Sequence, residues 1–129
     1  MNVTLVQVKR AIQNILAKPG HITSTTDIRE LSYQGKAFAY PCVRYEVETC
    51  EPDECNDYRV LFNVYCWSEE ESSLQATQIT DQVVAALHRH IEAANPIRLQ
   101  MIYVLGVPSV VRDGVLWRGE VYCKCLATT

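Results

Sequence analysis

The chain has 129 residues, enough for one domain with one core, and its 48% hydrophobic and 21% charged composition is that of a globular protein and too apolar for a disordered one. A net charge of -3 and a pI near 5.6 exclude a broad basic field able to hold a nucleic-acid backbone or an acidic membrane surface. No apolar run approaches the roughly 20 residues needed to cross a bilayer.

Leu5, Val8, Ile12, Ile15 and Leu16 recur at helical spacing, which predicts an amphipathic helix from about Thr4 to Ala17 and not a signal peptide. Lys18-Pro19-Gly20 ends it, because proline cannot extend the backbone ladder and glycine permits a left-handed cap. A long polar loop is expected over 18–39, irregular from His21 to Ala39, with one short strand near Ile28 to Leu31.

Two strands follow. Val43, Tyr45, Val47 and Thr49 alternate with Arg44, Glu46 and Glu48, the period of two that gives a strand one wet and one buried row. Tyr58, Val60, Phe62, Val64 and Cys66 repeat the pattern, with Arg59, Leu61, Asn63, Tyr65 and Trp67 pointing the other way. The acidic stretch from Cys50 to Asp57 reads as the connection between antiparallel neighbours.

Ser68 with Glu69, Glu70 and Glu71 reads as a capping box at a helix start. Leu74, Ile79, Val83, Ala86, Leu87 and Ile91 extend an apolar stripe to Ala94, before Asn95-Pro96, so a rod of roughly 40 Å is expected at about 1.5 Å per residue. Leu99 to Leu105 is β-prone and Gly106-Val107-Pro108 breaks it. Arg112-Asp113-Gly114 then predicts a hairpin turn into a strand from Val115 to Leu126. In that strand Val115, Trp117, Gly119, Val121, Cys123 and Cys125 form the row expected to face the helices. The fold class is therefore α+β, a mainly antiparallel sheet packed on one face by an N-terminal helix and a long central helix and ending in a β-hairpin, as a single domain over residues 1–129.

This layout resembles the tail-completion or tail-terminator (neck) proteins of long-tailed bacteriophages. The resemblance rests on Tyr40-Pro41-Cys42-Val43-Arg44-Tyr45 after a loop and on the run from Tyr58 to Ser68. It continues in a central helix carrying Ala76, Val83 and Leu87 and in the closing run from Asp113 to Val121. It implies a structural protein of the virion, made in the host bacterial cytoplasm, that forms a ring, six-fold in the family, at the head-proximal end of the tail. Such a ring stops tube elongation and joins the tail to the head connector. The implied partners are copies of the same chain, the tail-tube protein and head–tail connector or adaptor proteins, with DNA only passing through and no membrane.

No constellation for catalysis or cofactor binding emerges, so the chain reads as a non-enzyme without cofactor. His21 lies in a loop, while His88 and His90, two apart, would lie on different faces of the helix and be solvated. Glu69, Glu70 and Glu71 suit the positive end of a helix dipole. The six cysteines, Cys42, Cys50, Cys55, Cys66, Cys123 and Cys125, read as free, mostly buried thiols in a reducing compartment. A four-thiolate zinc site from Cys50, Cys55, Cys123 and Cys125, or a Cys50 to Cys55 disulfide, is the weaker alternative.

Two features point to assembly. With one row of the Tyr58 strand facing the helices, Leu61, Tyr65 and Trp67 emerge on a face for which a small domain has no second helical layer, as at an interface. Alternatively the 21–39 loop or the terminal hairpin folds over them. Glu46, Glu48, Glu51, Asp53, Glu54 and Asp57 are either a solvated tip or an acidic lining of a ring opening that repels passing DNA. Three hypotheses follow: a ring-forming terminator, a monomeric head-completion or adaptor protein of the neck, and a small cysteine-based metal-binding domain.

Overall fold

The computed structural model describes residues 3–32, 39–53, 57–94 and 96–129. Helix α1 (Leu5–Leu16) starts at Thr4, whose Oγ1 accepts from the Gln7 amide at 3.3 Å while Gln7 Oε1 accepts from the Thr4 amide at 2.9 Å. This reciprocal box satisfies two amides that the first turn otherwise leaves unpaired. Val8, Ala11, Ile12, Ile15 and Leu16 are buried, so the predicted stripe is the packed face, although Leu5 at its start is exposed.

The loop expected over 18–39 is ordered in its described part. Ile22 is buried, and β1 (Ile28–Glu30) pairs in parallel with β2 (Cys42–Pro52). Arg44, on β2, is buried and binds Asp27 at 3.2 Å, as well as the Asp27 and Val43 carbonyls. One guanidinium thereby fixes the approach to β1.

β2 runs antiparallel to β3 (Tyr58–Ser68), and the two stay paired out to Pro52 opposite Tyr58, so the acidic connection is shorter than its sequence implies. β3 pairs in turn with β7 (Leu116–Thr128). The other edge of β7 is shared: β6 (Ser109–Asp113) takes Leu116 to Glu120, and β5 (Ile97–Val104) takes Cys123 to Thr128. β4 (Glu92–Ala94) completes a 7-stranded sheet of order β1-β2-β3-β7-β5-β4, with β6 beside β7. The fold is α+β, and the mainly antiparallel sheet carries both helices on one face.

The central helix departs from expectation. Helix α2 is Leu74–Leu87, 14 residues, which gives about 21 Å instead of the expected rod of roughly 40 Å. Ser68 ends β3 opposite Trp117, and its buried hydroxyl donates to Gln75 Oε1 at 2.7 Å and accepts from the Glu70 amide at 3.2 Å. It is therefore no helix cap; Ser73 holds that position without a side-chain cap. At the other end Arg89 takes a positive φ of 62° and the chain turns back into β4. Leu74 and Ile91, counted in the sequence stripe, are 62% and 63% exposed, and the packed face is Ala76, Ile79, Thr80, Val83, Ala86 and Leu87.

The terminal hairpin forms as expected, shifted by one residue. Asp113 pairs with Leu116, so the loop is Gly114-Val115, with positive φ at Gly114 alone. A two-residue loop that needs positive φ only at its first position places Asp113 on the strand. Val115 is thus an exposed turn residue, while Gly119, Val121, Cys123 and Cys125 are buried beneath the helices.

Candidate interaction surface

The alternation of β2, β3 and β7 sends Val43, Tyr45, Val60, Phe62, Val64, Cys66, Val121, Cys123 and Cys125 into one core with the helices. The registers Leu61 with Lys124, Asn63 with Tyr122, Tyr65 with Glu120 and Trp67 with Arg118 then define the opposite face, which carries no helix among the described residues. Leu61, Tyr65 and Trp67 all lie there, as their parity requires.

They do not form one greasy strip. Tyr65 and Trp67 are half-buried, with ring centroids 5.7 Å apart, and they share a shallow depression with Leu31, Arg118, Glu120 and Tyr122. Tyr65 donates its hydroxyl to Glu46 Oε1 at 3.0 Å, and burial together with that carboxylate pushes its pKa up to about 12. Arg118 binds Asp113 at 2.7 Å and Glu120 at 2.8 Å, and Tyr122 donates to Glu120 at 2.8 Å. The upper half of the face is therefore a pre-organised polar and aromatic network.

The lower half is apolar. Leu61 is 37% exposed and Met101 52%, and with Tyr103, Leu126, Thr49 and Lys124 they line a groove of about 370 Å³. Strand alternation does not mark Met101 and Tyr103 as neighbours of Leu61. β5 breaks its alternation with an irregularity between Gln100 and Tyr103, where Met101 has φ 54°, so a period-of-two reading cannot assign its faces.

The acidic residues are spread along β2. Glu46 sits mid-strand opposite Asn63 and beneath Tyr65, and Glu48 is exposed at the register shift between Val47 and Thr49. Glu51 lies opposite Arg59 on the rim of the groove, and Asp53 approaches Arg59 at 4.0 Å. Asp57 is half-buried, and Glu54 lies outside the described residues. At about 3.3 Å per residue, Glu46 and Asp53 are roughly 20 Å apart, so these carboxylates form a line along one strand and not a single tip.

Burial pushes the thiols of Cys66, Cys123 and Cys125 up to about 12 and that of Cys42 to about 11, and it raises Cys50 as well. Cys55, and with it the Cys50 to Cys55 pairing, lies outside the described residues. Among the described residues no group of three His, Cys, Asp or Glu side chains is placed to hold a metal. The solvated-helix expectation fails for His90. It follows the helix end, is half-buried, and binds Glu92 at 2.9 Å with its ring 5.3 Å from that of His21.

No family model and no curated protein matches the sequence. A solved structure does. The chain superposes on a chain of the "Virion of native gene transfer agent (GTA) particle" with a TM-score of 0.74, over 93% of both chains and at 13% identity. The two share a fold over nearly the whole of both chains.

Proposed function

We propose that this chain is a structural virion protein, a tail terminator that rings the head-proximal end of a phage tail, stops tube elongation and joins the tail to the head connector. The observation that supports it is the fold shared over 93% of each chain with a component of a gene transfer agent virion. The resemblance to tail terminators carried by the β2, β3 and β7 segments agrees with it. In this reading the face bearing Leu61, Tyr65 and Trp67 meets a neighbouring copy or the tube, because half-buried aromatics over a hydrogen-bonded lattice are what a recognition surface presents. Contact between unlike surfaces of successive copies closes a ring by rotation, six-fold as in the family. The carboxylates of β2 then line the opening or its rim and repel passing DNA. The protein needs no catalytic group or cofactor for this role. Light scattering of the purified chain, alone and with tail tubes, tests the proposal. A discrete ring mass or binding to tubes supports it, whereas a chain that stays monomeric until it meets the connector favours a head-completion adaptor.

A further inference from the structure

The turn after α1 and the strand after α2 meet in a charged cluster that the assembly reading leaves unused. Lys18 Nζ and His90 Nε2 converge on one oxygen, Glu92 Oε1, at 2.6 and 2.9 Å. The Glu92 side chain is only 10% exposed; burial works against its charge, but the bonds from Lys18 and His90 outweigh it and hold its pKa below the ordinary value. His21 donates Nδ1–H to the Ile15 carbonyl at 2.7 Å, and its ring stands edge-on to His90 at 5.3 Å. One carboxylate thus binds a lysine and one imidazole, and a second imidazole stands against the first.

Among the described residues no second carboxylate is bonded to this cluster. Lys9 is engaged by Glu30, Arg10 and Arg89 are exposed, and the His88 ring packs against Tyr103. Arg98 of β5 lies opposite exposed Ala93, whereas Glu92 lies opposite buried Leu99. Asp81 of α2 is exposed, and among the described residues no other carboxylate bonds either imidazole.

We propose that this cluster is an acid-sensitive latch between the end of α1 and β4. With neutral rings, the Lys18–Glu92–His90 bridge holds the turn from Lys18 to His21 against the sheet edge. Lys18 already balances Glu92, so one added proton leaves two cations sharing a single carboxylate oxygen. A second puts three cations around one carboxylate, with the two rings in contact, and the turn releases.

Amide hydrogen exchange on the full chain, corrected for intrinsic rates, tests the latch at about pH 7.5 and about pH 5. Protection at residues 18–22 and 88–92 is expected to fall roughly tenfold in acid while β3 and β7 keep theirs. His21→Gln removes the third cation and is expected to abolish the acid response. Unchanged protection of these segments in acid, or an equal loss in His21→Gln, overturns the proposal. Should that variant fail to fold, NMR titration of the wild-type chain decides. Lys18 to His21 amide signals that follow the imidazole titration support the latch, and signals indifferent to it refute it.

Discussion

Thr80, on the buried face of α2, rests directly on the bare backbone of Gly119 in β7. A Cβ at Gly119 would run into Thr80 Oγ1, which donates to the Ala76 carbonyl at 2.7 Å. Gly119 lies opposite Cys66 in the sheet, so this contact seats the helix over the junction of β3 and β7. Gly119→Ala is expected to cost about 1–3 kcal/mol through overpacking. Combining it with Thr80→Ala should recover part of that loss, a coupling that urea unfolding of the two single variants and the double variant measures.

The Arg44–Asp27 pair gives a sharper asymmetry. The Arg44 side chain is 2% exposed, and Asp27 is its carboxylate partner at 3.2 Å. Asp27→Ala is expected to cost about 3 kcal/mol, because it takes a carboxylate partner away from a buried guanidinium. Arg44→Met, which removes the charge along with the need for a partner, should cost less. Equal losses in thermal unfolding would contradict this account of the β1 anchor.

Cysteine chemistry follows from burial. Because Cys66, Cys123 and Cys125 stay protonated up to about 12 when folded but ionise near 9.0 when unfolded, they lend stability that is complete below about pH 9 and lost as the pH climbs toward 12. Unfolding midpoints should therefore fall above about pH 9. At about pH 8, iodoacetamide should label half-buried Cys50 well before these three, as peptide mass mapping will show. Rapid labelling of Cys123 or Cys125 in the folded chain would be inconsistent with their burial.

Much of this arrangement is legible in the residues, and the failures have identifiable causes. α1 announces itself through its stripe and Pro19-Gly20, and β3 through strict alternation. The ends of α2 are hidden because Ser68-Glu69-Glu70-Glu71 imitates a cap while the pairing of Ser68 with Trp117 claims that residue for the sheet. Ile91 continues a helical period by coincidence, and the positive φ of Arg89 has no signal in a non-glycine residue. The face holding Leu61, Tyr65 and Trp67 follows from parity alone. Its apolar lower half does not, since the Met101 irregularity breaks the period that would have exposed it. The meeting of His21 with His90 joins two turns far apart in the chain and is set only by tertiary packing.

Leu61→Glu should separate assembly from folding. Leu61 is 37% exposed beside Met101, so the change is expected to shift stability by no more than about 0.5 kcal/mol. A charge buried at the centre of an apolar contact, by contrast, should dissociate copies or detach the chain from tubes by roughly tenfold or more in apparent affinity. Sedimentation velocity with a matched thermal melt checks both halves of the statement.

Electron microscopy of the purified chain mixed with tail tubes built from its cognate tube protein bears most directly on the central proposal. Closed rings, free or seated on one end of each tube and lost in Leu61→Glu, are the predicted result. A folded monomer that leaves tubes uncapped and still elongating would contradict it.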